Sequence, residues 1–251
     1  MEKLILKEYP NARPGEEVTD TYLNFLADNH HCDLKKVLFA TSLCCDDINV
    51  STDFRRVLAR PFNLGGLGGL PYAGFTGLVA YGHHIPDGGD AFIFYGPHIG
   101  ITEEGELGKM RRPGQKGLTN SCGALMLALD RLTRTDEVYI PVGDEYDHQQ
   151  TVLERTLMPF KQQILSAENP VKEITEVAYL VIERQIRYLL ERTITEFNCE
   201  RVFLLGGVIV NSSPEYPDYV EIRNFEKIEV ESMRTVTSQT AILSNQAFKN
   251  L

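Results

Sequence analysis

Short, unbroken apolar runs alternate along this chain with stretches whose apolar side chains recur every three or four residues. That alternation restricts the fold more than any other feature, because buried strands separated by amphipathic helices give an α/β sheet in one domain. Lys36–Cys44, Ala91–Tyr95 and Val202–Val210 are the predicted buried strands, while Tyr219–Ile222 and Ile228–Val230 alternate as strands with one exposed face do. The clearest helix is predicted over Val171–Phe197, where Ile174, Ala178, Val181, Ile182, Ile186, Leu189 and Leu190 form one apolar stripe. Shorter helices are expected over Asp20–Asp28, over Phe75–Tyr81, and from Ser51 as cap to about Arg60, where Pro61 stops it. Ser121 is placed to cap a helix over 122–129. The texture changes at about Gly143, and Gln149–Ser166 looks helical with a break at Pro159.

Charge and length exclude several classes. With 35 acidic against 25 basic side chains, the formal charge of -10 argues against a surface for nucleic acid or anionic membrane. The longest apolar run, Val202–Val210, falls far short of the ~20 residues that cross a bilayer. Met1–Glu8 sets three apolar residues between charges, so no secretory signal is expected there. The 251 residues are enough to bury a core without staples, and five cysteines are an odd number for a disulfide framework. Reduced thiols in a cytoplasmic setting are therefore expected.

Sixteen of the twenty glycines lie between Gly65 and Gly123, which marks backbone in close approach or at positive φ, and so the functional surface. Two thiol positions border that region. Cys44-Cys45-Asp46-Asp47 falls at the carboxyl end of the first strand, where open α/β sheets bind ligands, although the same residues also make a buried thiol and an Asx turn. Cys122 begins a helix, where the macrodipole favours thiolate, or it is a small apolar residue starting a buried helix. His98 follows the strand at 91–95 and suits either a metal ligand or the core; His83-His84 is the alternative pair, only one of which can face a given site. His30, His31 and Cys32 read as a solvated helix end, and His148 and Cys199 receive no role. Two thiolates and one imidazole with a place left for water make a catalytic zinc shell, but the spacing of Cys44, His98 and Cys122 matches no local pattern. The residues by themselves lead to a candidate thiolate–imidazole metal enzyme.

Four longer motifs, in order, carry more. Cys44-Cys45-Asp46-Asp47-Ile48-Asn49, Phe62-Asn63-Leu64-Gly65-Gly66-Leu67-Gly68-Gly69, His83-His84-Ile85-Pro86-Asp87-Gly88-Gly89 and Tyr95-Gly96-Pro97-His98-Ile99-Gly100 resemble the limiting-CO2-inducible protein B family, which includes the theta-class carbonic anhydrases. The resemblance spans roughly residues 15–240 and takes 1–251 as a single domain. It implies a fold similar to beta-class carbonic anhydrases, with a central, mostly parallel sheet flanked by helices, a homodimer, and Zn2+ held by two cysteines and one histidine. It places zinc ligands at Cys44 and Cys122 and the site aspartate at Asp46. Beta-class enzymes put the histidine three residues before the second cysteine, which is Thr119 here, so His98 is preferred, ahead of His84. They put an arginine two residues after the aspartate, which is Ile48 here; the family's arginine lies in the following helix, favouring Arg56 over Arg55. The implied activity is reversible hydration of carbon dioxide to bicarbonate by zinc-bound hydroxide. Leu64, Leu67, Phe75 and Leu78 are candidates for an apolar wall, or plain packing. Two rival readings are a catalytically silent, zinc-stabilised subunit acting as a bicarbonate-related partner or sensor, and a thiol hydrolase using Cys44 or Cys122.

Overall fold

The computed structural model describes residues 1–47, 49–58, 61–138, 146–231 and 234–237. Helix α1 (Glu2–Glu8) leads through the edge strand β1 (Arg13–Pro14) into α2 (Gly15–His30). Then come β2 (Leu38–Ser42), α3 (Asn49–Arg55), β3 (Phe62–Asn63), α4 (Gly74–His83), β4 (Ala91–Tyr95) and β5 (His98–Gly100). A hairpin of β6 (Lys109–Arg111) and β7 (Leu118–Asn120) precedes α5 (Gly123–Arg134). Helices α6 (His148–Leu157), α7 (Lys161–Ser166) and α8 (Pro170–Thr193) are followed by β8 (Arg201–Asn211), β9 (Tyr219–Glu229) and β10 (Arg234–Thr237).

The main sheet runs β1-β9-β8-β4-β2-β3, with β5 also on β8 and β10 on β9. Strands β3, β2, β4, β5 and β8 are parallel, whereas β9 runs antiparallel to β8, and β1 and β10 antiparallel to β9. Side chains of β4 alternate between two cores, which is why it reads as a continuous apolar run. Ile93 and Tyr95 join the side covered by α4, α5, α6 and α8. Phe92 and Phe94 join the side covered by α2 and α3, where Phe39, Phe54 and Phe203 pack beside them. Burying a phenylalanine of this kind contributes about 1.5–3 kcal/mol.

Several expectations shift. The first helix is longer than Asp20–Asp28, since Glu16 and Glu17 already occupy its first turn and His31 closes it with φ 55°. Tyr219–Ile222 and Ile228–Val230 merge into β9, because Asn224, Phe225, Glu226 and Lys227 between them still pair with the long β8, and only Arg223 is passed over, at a bulge. Ser121 is not the cap of α5: Cys122 takes that position, and Ser121 Oγ accepts instead from Gly100 N at 2.7 Å. The helix expected from Ser51 starts at Asn49, and its expected end at Arg60, like the change of texture at Gly143, lies outside the described residues. Pro159 does interrupt helix, at a single turn over Met158–Phe160. Asn169 caps α8, accepting from Lys172 N at 3.0 Å, with Pro170 in the first turn. Among the described residues no helix is long and apolar enough to cross a membrane.

One interruption positions the site. β4 and β5 keep a single register along β8, Tyr95 opposite Gly206 and His98 opposite Ile209, and the strand breaks only at Gly96-Pro97. A Cβ on Gly96 would stand 1.7 Å from the Gly207 carbonyl oxygen, so glycine is what lets the chain pass there. His98 thus emerges near the same carboxyl edge of the parallel strands as Cys44, two residues past β2.

Candidate metal centre

Cys44 leaves β2 for the turn at Cys45-Asp46, and its Sγ accepts from Gly68 N at 3.2 Å. Gly68 has φ 65°, and a Cβ there would come within 2.9 Å of Leu153, so the glycine-rich loop is shaped to bring a backbone N–H to this sulfur. Cys122, at the cap of α5, places its Sγ 3.8 Å from Cys44 Sγ. His98 is buried at the start of β5. Its Nδ1 lies 2.8 Å from Asn211 Oδ1 and 3.2 Å from Asp47 Oδ2. Nε2 lies 2.9 Å from Asp46 Oδ1 but out of line for a hydrogen bond, so this buried nitrogen has no hydrogen-bond partner. One donor atom from each of Cys44, Asp46, His98 and Cys122 falls within 4.8 Å of the others.

These atoms fit a metal ion. Two sulfurs at ~2.3 Å from one tetrahedral zinc stand about 3.8 Å apart. A buried imidazole nitrogen without a partner, facing two thiols, has the chemistry of a ligand set. The neighbouring Cys122 thiol, together with burial, pushes the Cys44 thiol above its ordinary range, so without a cation this sulfur stays protonated. Binding a cation would displace that proton. Burial opposes charge on His98, yet Asp47, Asp46 and Cys44 around it raise the imidazole well above its usual value.

Asp46 is one-third exposed, between the sulfurs and solvent. Burial works to raise its carboxyl, but His98, Cys44 and the Gly123 N–H outweigh it and hold it at about 2. Gly123 N approaches its Oδ2 at 3.5 Å, and Arg112 Nη2 lies 3.6 Å from the same oxygen. Arg112 is oriented by donating to the Ser121 carbonyl at 2.8 Å, which ties the β6–β7 hairpin to the chain entering Cys122.

The structure thus brings Cys44, Asp46, His98 and Cys122 together and leaves Arg56 outside. Arg56 is half exposed and pairs with Glu16 at 3.0 Å, and Arg55 is also exposed. The turn at Arg56 and Val57 that ends α3 directs this arginine toward α2. His84 is exposed against the Phe62 ring, and His83 faces Glu196. The arginine beside Asp46 is Arg112, which the sequence reading passed over. A signal was present: Lys109, Arg111, Arg112 and Lys116 put four cations into eight residues of an acidic chain, shortly before Cys122.

Residues 16–229 match the family described as limiting CO2-inducible proteins B/C beta carbonic anhydrases. The chain belongs to this family. Among solved structures, PtLCIB4, a homolog of the limiting CO2-inducible protein LCIB, is 26% identical, with 95% of this chain and 100% of that chain covered at a TM-score of 0.88. LCIB itself shares the fold at a TM-score of 0.66 and 19% identity, over 92% of this chain and 96% of its own. No curated protein matches the chain. The α/β architecture read from the sequence is therefore that of the limiting CO2-inducible family, and its Cys-Asp-His-Cys cluster is a candidate metal site within that fold.

Proposed function

We propose that this protein is a zinc-dependent carbonic anhydrase, acting as a homodimer, that interconverts carbon dioxide and bicarbonate. One observation carries the reading: in a chain of this family, two buried thiols and an unpartnered imidazole nitrogen meet beside a solvent-reachable carboxylate. Cys44, His98 and Cys122 would hold the ion. Zinc supplies Lewis acidity there, which makes water nucleophilic near neutral pH. Asp46, held at about 2, is anionic at neutral pH, so its Oδ1 accepts the attacking water's hydrogen bond and turns a lone pair toward the substrate. Arg112 and the Gly123 N–H engage Oδ2 and keep the carboxylate fixed while it does so. A thiol hydrolase is disfavoured because Cys44 and Cys122 are buried and Cys44 is held as the thiol.

Stopped-flow hydration by the zinc-loaded chain, with zinc content by elemental analysis, tests this. Cys44→Ser and Cys122→Ser should lose zinc, and Asp46→Ala should keep zinc but lose most of its turnover. Full zinc retention in both serine variants would end the assignment. One feature favours the silent subunit as a second reading: Asp46 is itself close enough to join the ligand set. If it fills the fourth place, zinc-loaded protein shows no hydration, and X-ray absorption finds two sulfurs, one nitrogen and one protein oxygen at the ion.

A further inference from the structure

Asp46 and Asp47 are consecutive, yet they face opposite edges of the same imidazole. Asp46 stands at the mouth by Nε2, whereas Asp47 is buried at the back by Nδ1. Asn211, buried at the last position of β8, completes the back of the ring. Its Nδ2 donates to Asp47 Oδ2 at 3.0 Å and to Asp218 Oδ2 at 3.3 Å. Both partners of that nitrogen are carboxylates, which fixes the amide with its oxygen toward His98. Nδ1 of His98 therefore meets two acceptors, Asn211 Oδ1 and Asp47 Oδ2, and must carry a proton. As a metal ligand the ring is neutral and has one N–H, so with Nδ1 holding that proton it is the Nε2 lone pair that is left for a cation.

The burial of Asp47 needs a reason. Among the described residues no lysine or arginine pairs with it, and its Oδ1 has no hydrogen-bond partner. A buried carboxylate so sparsely satisfied is costly, and an apolar side chain would fill the space at less expense of stability. What the carboxylate does here that an apolar group cannot is polarise His98.

We propose that Asp47 and Asn211 are positioning residues that act through His98. They hold its proton on Nδ1, aim Nε2 at the two sulfurs, and set a fixed negative charge behind the ring that strengthens its grip on a divalent cation. The inference rests on the metal reading above and adds a division of labour between two adjacent carboxylates.

Zinc competition against a chromophoric chelator, on the full chain, tests it. Asp47→Asn should bind zinc about 10–100-fold more weakly than wild type, with the Tm of the metal-free protein unchanged. Asp46→Asn, on the other edge of the ring, should show a far smaller loss. In zinc-loaded, 15N-histidine protein, the His98 Nδ1 proton should exchange slowly with solvent in wild type and faster in Asp47→Asn. If Asp47→Asn does not fold, Asn211→Ser carries the test, with zinc affinity expected to fall in the same direction. Equal zinc affinity in wild type and in these variants overturns the proposal, as does an affinity loss matched by loss of metal-free stability. A wild type that binds no zinc instead brings down the metal reading itself.

Discussion

Arg112 and Arg56 carry the same charge and stand in different relations to Asp46. Arg112 reaches Oδ2 from a hairpin that its own hydrogen bond to Ser121 holds in place; Arg56 spends its charge on Glu16 at the surface. Arg112→Gln is therefore expected to lower kcat/KM for carbon dioxide hydration by about 10–100-fold, the range of a lost positioned charge near a reacting group. Arg56→Gln should leave it unchanged, and parallel stopped-flow traces compare the two. His30 gives a prediction about pH. Its ring lies among Phe25, Phe203 and the cations Lys227 and Arg201, and burial first, then those charges, hold its imidazole at about 4 against an ordinary 6.5. The unfolded chain thus takes up this proton at higher pH than the folded one, so stability is full above 6.5 and declines as pH falls toward 4. Because the ring is only partly buried, solvent screening leaves about 1–2 kcal/mol of that effect. Urea unfolding at stepped pH should show it, and His30→Phe should flatten the slope between those limits.

At the scale of elements, the decisive device is the gap in the strand made by β4 and β5. Unbroken register along β8 carries the chain from Tyr95 to His98, while Gly96 passes against the Gly207 carbonyl, where β8 also slips register against β9. Gly96→Ala would drive a methyl into that oxygen, and neither backbone can retreat without breaking ladder bonds on both sides. A loss of at least about 3 kcal/mol is expected from such overpacking. Equilibrium unfolding in urea measures it, and a loss below about 1 kcal/mol would mean that the two backbones at this crossing can move apart. The glycine-rich loop acts in the same way for the sulfur: Gly68 presents its N–H to Cys44 while Leu67 N donates to Gln149 at 3.0 Å, so α6 pins the loop from outside.

For the molecule as a whole, a site drawn from β2, β5 and α5 joins segments on both sides of the glycine-rich region, and anything bound there ties them together. Zinc that binds only the folded state stabilises it by about 2.7 kcal/mol when free metal is 100 times its dissociation constant. Chelator treatment should therefore lower Tm and added zinc restore it, as read by scanning calorimetry. In Cys44→Ser the zinc-dependent rise should vanish, and a rise that persists there would place the metal elsewhere.

Periodicity and burial settled much of this before any coordinates. The runs 91–95 and 202–210 had to be strands buried on both faces, and the stripe from Ile174 to Leu190 had to lie on a sheet, because each follows from local chain geometry and the cost of exposing apolar side chains. Motifs read in order also led to the family and to Cys44, Asp46, His98 and Cys122 as residues to watch. The partner of Asp46 could not be read that way. Both Arg56 and Arg112 are exposed-type side chains near turns, and which one reaches the carboxylate depends on how α3 ends and how a hairpin folds back on Ser121. Nor could the sequence show that Asn211, 113 residues beyond His98, closes behind its ring. Local pattern fixes which face of an element is buried; only the packing of distant segments decides which polar atoms meet within hydrogen-bond range, and the chemistry of this site depends on those meetings.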